Sequence, residues 1–296
     1  MSDLTKQKYW DTVHIKEQRE FDDAVLTEQA THLPLSKRIT GALKQFLGAS
    51  ILERTSNYDD YLLWSAILPR VLPSLNGLRA LEIGSAPGEH IVQFSKRYGC
   101  VPHGVEYSQF GVDINRDVFK KNGFDSDNVI HADFFSDEFI AAHRERFDVV
   151  ISRGFIEHFE DAKSVIDRHS QLLKPGGYLI VSIPNLHGAN YVFSKLFDES
   201  SIPRHNLTIM RRSAFAELFN LNDLESIFCD YYGTFSFYLF TAGPSSLQRN
   251  LLSICFRLQP LLNLVMRTAW GSKGAETALF SPFLLYVGRK SGSGGD

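Results

Sequence analysis

Between residues 77 and 185 the chain alternates two patterns of apolar positions. Short continuous apolar runs, Ala80-Leu-Glu-Ile83, Val101 to Glu106 and Phe147-Asp-Val-Val-Ile-Ser152, have the length and β-branched content of strands buried on both faces. Between them apolar residues recur every three to four positions. Ile91, Val92 and Phe94 give a helix over Glu89 to Tyr98 its apolar stripe, and further helices are predicted over Gly111 to Asn122 and Asp161 to Leu173. Gly99, Gly123 and Lys174-Pro-Gly-Gly177 supply the stops. This alternation predicts an α/β fold, a doubly wound and mostly parallel sheet covered on both faces. Right-handed crossovers then bring the C-terminal ends of the strands to one rim, where open α/β sheets bind ligands. Glu82, Glu106, Asp133 and Arg153 fall at that rim.

The flanking regions are less regular. Residues 1–77 have helical spacing, with Leu43, Phe46 and Leu47 on one short face and Tyr61, Leu62, Trp64, Ile67 and Leu68 on another, so they are expected to form a helical cap distinct from the domain 78–296. His187 to Leu207 reads as a loop or insertion, Arg212 to Phe219 as a helix, and Leu224 to Tyr231 and Phe283 to Val287 as the last two strands. Residues 186–210 and 232–280 are therefore expected to be insertions on one side of the rim. In the second, Leu251, Ile254, Cys255, Leu258, Leu262 and Val265 keep helical spacing, with a kink expected at Pro260. Tyr231 to Ala275 contains no Asp or Glu but carries Arg249, Arg257, Arg267 and Lys273.

The chemistry concentrates at Ala80-Leu-Glu-Ile-Gly-Ser-Ala-Pro-Gly88, a strand that ends in an acid and runs through a small-residue loop into a helix. Gly84 and Gly88 admit backbone angles closed to other residues, and Ser85 and Ala86 keep the loop small enough for a ligand to approach its N–H groups. A dinucleotide's pyrophosphate would be repelled by Glu82 beside this loop, whereas a cationic ligand would be attracted. Glu106 follows Glu82 by 24 positions, the spacing at which a carboxylate accepts hydrogen bonds from two ribose hydroxyls.

These residues resemble the first motifs of class I S-adenosylmethionine-dependent methyltransferases. The resemblance continues in order through Val129-Ile-His-Ala-Asp133-Phe134, through Phe147 to His158, and through Leu172 to Asn185, which is similar to the ubiquinone-biosynthesis-like branch. It implies a seven-stranded Rossmann-like sheet with an antiparallel last strand, a helical N-terminal lid and a helical insertion before that strand. It also implies S-adenosyl-L-methionine as cofactor, with S-adenosyl-L-homocysteine as product, held by Glu82, Gly84, Ser85, Ala86, Gly88, Glu106, Tyr107, Asp133, Phe134 and Arg153. Ala86 stands where the family usually has Gly. Arg153 is equally suited to the cofactor carboxylate, an acidic substrate or Glu157.

Methyl transfer to an oxygen or carbon acceptor is helped by a base titrating near neutrality, and His158 or His205 is the candidate. His187 and Asn185 lie on the same rim with less to support them. No metal is expected, since no carboxylates and histidines stand at ligand spacing in the sequence. O-methylation of a small-molecule, glycan or lipid-linked acceptor is the leading reading, with C- or N-methylation of a hydrophobic metabolite as the alternative. A nucleotide-dependent oxidoreductase and a non-catalytic binding protein are the rivals from other classes.

Composition narrows the setting. With 296 residues, 44% of them hydrophobic, the chain can bury a substantial core, and its formal charge of -3 carries no nucleic-acid signature. Cys100, Cys229 and Cys255 have the spacing neither of a disulfide framework nor of a zinc site. A cytoplasmic monomer or homodimer is expected, with peripheral membrane contact through residues 244–273 as one use of the acid-free segment.

Overall fold

The computed structural model describes residues 53–292 apart from Asn222. Strands β1 (Arg79–Ile83), β2 (Val101–Glu106), β3 (Val129–His131), β4 (Phe147–Arg153), β5 (Leu173–Pro184), β6 (Leu224–Tyr232) and β7 (Phe283–Lys290) form one seven-stranded sheet. Its order is β3-β2-β1-β4-β5-β7-β6, with β7 antiparallel to both neighbours and the pairings among β1 to β5 parallel. The expected seven-stranded, mostly parallel fold is thus present. Pairing of Ile83 with Val105 and Ser152, and of Arg153 with Ser182, brings the C-terminal ends of β1, β2, β4 and β5 to one rim.

Alternation along the strands feeds two cores. Ala80, Val149, Ile151 and Ile180 point to one face. There they meet α1, a continuous helix of Tyr58–Tyr61, π-helical Leu62–Ile67 and Leu68–Val71, together with α2 (Glu89–Tyr98) and α3 (Gln109–Lys121). Leu81, Val150, Leu179 and Val181 point the other way, against α4 (Asp137–His143), α5 (Ala162–Leu172) and α7 (Arg212–Glu217). Fully buried branched side chains on both faces explain why these strands read as continuous apolar runs. Gly99 stops α2 as expected, adopting φ 73° and donating its N–H to the Ser95 carbonyl. Helix α3 starts two residues earlier than its apolar period implied, because the Ser108 side chain caps it by accepting from Gly111 N–H.

Three expectations need correction or restriction. The segment read as a loop, His187 to Leu207, contains helix α6 (Ala189–Asp198) followed by 3-10 turns at Glu199–Arg204 and Leu207–Ile209. Its buried positions are Asn190, Ser194, Phe197 and Asp198, so polar residues outnumber the apolar ones on its inner face and only Phe197, with partly buried Phe193, hints at the helix. Helix α8 (Ser246–Trp270) runs unbroken through Pro260, and the face read as its buried side is partly outward: Ile254, Leu258 and Val265 are 53%, 50% and 53% exposed. Leu252, Gln259, Asn263 and Met266 are buried instead. The inversion has a hydrogen-bonding cause. Gln259 accepts from Phe237 N–H and donates to Asn263, which in turn donates to the Thr55 carbonyl, so buried amides satisfy two irregular backbone segments. Finally, the helical face Leu43, Phe46 and Leu47 and most of the expected cap 1–77 lie outside the described residues; of the cap, α1 is seen. Among the described residues no helix is long and apolar enough to cross a membrane.

Candidate active site

The ends of β1, β2 and β4 surround a cavity of about 340 Å³. Gly84, Ala86, Glu106, Tyr107, Asp133, Phe134 and Arg153, all expected from the sequence, line it. Gly84 sits at φ 64°, and a Cβ there would lie 2.9 Å from the Phe155 ring. Glu106 is buried, with Oε1 accepting hydrogen bonds from the N–H groups of Tyr107 and Ser108 at 3.0 and 2.9 Å. Two backbone donors favour the charged carboxylate and fix its orientation, which is what an acceptor for adjacent hydroxyls requires. The approach is close: a Cβ on Gly111 would lie 2.9 Å from Glu106 Cγ and 3.1 Å from Ala86 Cβ. Asp133 accepts from Phe135 N–H, which holds its side chain over the turn after β3. Aromatic rings form the far wall, with Phe135 and Phe155 stacked at 6.3 Å and Phe134 edge-on to Phe155 at 5.7 Å. A cradle of glycine and small residues, a fixed carboxylate and stacked rings fits a nucleoside with unphosphorylated ribose.

The structure separates three of the expected contacts from this cavity. Glu82, Ser85 and Gly88 do not line it. Ser85 is buried and accepts from the Asn115 amide, while a Cβ on Gly88 would overlap Asn115 Oδ1. Both residues thus seat α3 against the loop. Glu82 is buried with Oε2 accepting from Ile91 N–H at 3.1 Å at the start of α2. Burial pushes its carboxyl up to about 8, opposed by the nearby Arg153 guanidinium. Arg153 donates to His90 Nδ1 and also lies in the field of Asp59, a buried acid of α1 that desolvation pushes up to about 7. Of the partners open to Arg153 from the sequence, the structure favours a site shared by Glu82 and the cofactor cavity rather than an ion pair with Glu157.

A second cavity, of about 310 Å³, shares Gly154 with the wall of the first and is lined by Glu157, His158, Asp198, Arg204, His205 and Tyr238 among others. Two loops build it. Asn206 N–H donates to the Glu157 carbonyl, Asn206 Nδ2 to the Phe159 carbonyl, and His158 Nδ1 bonds the Arg204 carbonyl at 2.9 Å. His205 Nδ1 likewise bonds the Ser201 carbonyl at 2.8 Å. The two candidate bases, 47 positions apart in the chain, therefore come together with ring centroids 4.8 Å apart. Burial holds both imidazoles well toward the neutral form, His158 down to about 3. Glu157, 1% exposed, is pushed up to about 8 by the same desolvation. His187 faces elsewhere, its Nε2 bonding the Leu207 carbonyl, and Asn185 is buried on the carbonyls of Ala278 and Ser281.

Glu157 and the rings Phe135, Phe155 and Phe159 are absent from the sequence expectation. The adjacent pair Glu157-His158 was the available signal for the first. For the rings, the excess of Phe after β3 and β4 was visible but reads equally as core.

A family profile described as "Methyltransferase domain" matches residues 56–228, more than half of the chain. The ubiquinone biosynthesis O-methyltransferase of Thiobacillus denitrificans is 26% identical over 120 residues, covering 40% of this chain and 50% of that protein. Its counterpart from Actinobacillus pleuropneumoniae is 27% identical over 166 residues, 52% of this chain and 68% of the relative. The match thus spans about half the length of the first relative and two thirds of the second. Among solved structures, geranyl diphosphate C-methyltransferase from Streptomyces coelicolor A3(2), described with Mg2+, geranyl diphosphate and S-adenosyl-L-homocysteine, superposes with a TM-score of 0.51 at 14% identity, covering 88% of this chain and 86% of that one. That likeness establishes the fold, and with the matching domain and the ordered rim motifs it places this chain in the methyltransferase domain family, among the class I S-adenosylmethionine-dependent methyltransferases.

Proposed function

We propose that the protein O-methylates a small-molecule or lipid-linked acceptor, with the cofactor in the first cavity and the acceptor hydroxyl in the second. The observation that carries this reading is that the two cavities share Gly154 in their walls, with a fixed ribose-type carboxylate in one and a buried Glu157-His158-His205 cluster in the other. S-adenosylmethionine, when bound, supplies an electrophilic methyl on a sulfonium. This chain's residues then have three tasks. Glu106 and Asp133 hold the nucleoside; Glu82 and Arg153 set the charge at the rim; His158 or His205 takes the acceptor proton through Nε2, since Nδ1 of each is committed to a carbonyl. Burial keeps both imidazoles unprotonated, as a base must be, and at the same time lowers their basicity below that of a histidine titrating near neutrality.

The lipid-linked class is favoured by the outer face of α8. Leu247, Ile254, Leu258, Leu261 and Val265 are at least half exposed and recur along one helix, Arg249 and Arg257 accompany them, and the segment Tyr231 to Ala275 contains no Asp or Glu. This face is proposed to rest on an anionic lipid surface.

Methyl-labelled S-adenosylmethionine offered with a panel of phenols, glycans and lipid-linked hydroxyls tests the reading. An acid-stable O-methyl ether, formed faster on anionic vesicles and lost in both His158→Ala and His205→Ala variants that still bind cofactor, is the expected result. Label fixed to carbon or nitrogen would overturn the O-methyl assignment, and unchanged turnover in both variants would overturn the base assignment.

A further inference from the structure

We infer that Glu157, His158 and His205 bind a divalent transition-metal cation on the acceptor side. Each offers one ligand atom, and these atoms lie within 4.8 Å of one another; His158 Nε2 and Glu157 Oε1 are 3.9 Å apart. Around a cation with bonds of about 2.1 Å, donors sit roughly 3 to 3.5 Å from each other, a closure that small side-chain rotations supply.

Three further features of the cluster point to a cation. Glu157 Oε2 is buried without a hydrogen-bond partner, and a buried polar oxygen left bare is costly unless a donor or a cation meets it. Both imidazoles direct Nδ1 to a backbone carbonyl, the outer contact that orients a metal-ligating histidine and commits Nε2 to the ion. The Arg204 guanidinium, the nearest competing charge, is paired with Asp198 at 3.5 Å. Two imidazoles and one carboxylate suit Zn2+, Mn2+, Fe2+ or Co2+ better than Ca2+, and leave coordination positions directed into the 310 Å³ cavity.

This inference rests on the acceptor-side reading of that cavity and changes its chemistry. A cation there would lower the pKa of an acceptor hydroxyl docked against it; the hydroxyl gives its proton to water as the new C–O bond forms and the S–CH3 bond breaks, its electron pair leaving with sulfur as the neutral thioether S-adenosyl-L-homocysteine. The imidazoles then act as ligands rather than as the base. The cluster escaped the sequence because the second histidine arrives from a loop 47 residues downstream, outside any contiguous ligand spacing.

Co2+ titrated into chelator-stripped full-length protein, without cofactor or acceptor and followed by its visible absorption, tests the site directly. The result expected is one ion per chain, displaced by Zn2+, with affinity falling at least about 100-fold in Glu157→Gln and in His205→Ala. His187→Ala, outside the cluster, should bind as wild type does. Circular dichroism and S-adenosylhomocysteine binding at the separate first cavity report folding of each variant. The absence of saturable one-to-one binding would overturn the inference, as would binding that both cluster variants retain, the mark of an adventitious ion only. Because neither substrate is present, the outcome is independent of whether methyl transfer to oxygen is correct.

Discussion

On the cofactor side, α2 hides Ile91, Val92 and Phe94 and shows Glu89, Gln93 and Lys96 to solvent. On the acceptor side, α6 hides Asn190 and Ser194 while Val192 and Leu196 are 64% and 49% exposed, and α8 hides Gln259 and Asn263 beneath an outward row of Leu and Ile. The first region mostly obeys the hydropathy rule because its helices cover a sheet, and most positions facing the sheet meet carbon, with Ser95 and Asn115 the buried polar exceptions. The second covers loops whose backbone groups need partners. Asn190 donates to the carbonyls of Asn185 and Ser281, and Gln259 serves Phe237. Where a helix packs on irregular backbone, polar burial is the stable solution and the apolar residues are left for another surface.

Several changes would break or sharpen this contrast. The largest effect is expected at Gly111→Val, which drives a branched side chain into Glu106 Cγ and Ala86. S-adenosylhomocysteine affinity measured calorimetrically should fall by at least about 100-fold, roughly 3 kcal/mol, since the carboxylate is displaced. Retained affinity would mean that Glu106 is not a contact.

Glu82→Gln tests the buried charge beneath the rim. Its folded-state carboxyl lies near 8, above the ordinary value of 4.5, so the folded protein holds a proton that the unfolded chain releases. The stability this contributes is full below about pH 4.5 and is lost as pH rises through about 8. In the cofactor-free protein, thermal unfolding at about pH 9 should show the glutamine variant more stable by on the order of 2 kcal/mol, with the difference shrinking toward pH 5. A constant difference across that range would contradict the assignment.

On the acceptor side the expected order of costs is the reverse of what hydropathy implies. Gln259→Leu leaves Phe237 N–H and the Asn263 amide without their partner and should cost about 1 to 2 kcal/mol in denaturant unfolding. Leu258→Ser, on the half-exposed row, should cost no more than about 0.5 kcal/mol. Equal or inverted losses would return α8 to an ordinary apolar-in helix.

The same contrast explains what was legible in the sequence. Strands buried on both faces, helix stops at Gly99 and just before Lys174-Pro-Gly-Gly177, which lies at the start of β5, and Glu106 at its distance from the glycine loop are local features with local causes, so they could be read without coordinates. Glu82 and Gly88 were read as cofactor contacts because their motif sits at the right place. Their actual partners, Ile91 N–H and Asn115, come from α2 and α3, and strand-end position alone does not say which way a side chain turns. Helix α6 was not read because polar Asn190, Ser194 and Asp198 interleave with Phe193 and Phe197 on its inner face. The pairing of His158 with His205 depends on a loop stitched to the segment after β4, residues 157–160, by Asn206 hydrogen bonds, a tertiary fact with no periodic signature.

The account's central claim is that the rim over β1 and β2 is the cofactor site and that Glu106 holds its ribose. Calorimetric titration of S-adenosylhomocysteine into wild type and Glu106→Ala tests it most directly. Micromolar binding by wild type, weakened about 100-fold or more in a variant that keeps its unfolding temperature, is the predicted result. Equal binding by the two proteins, or none by folded wild type, would contradict it.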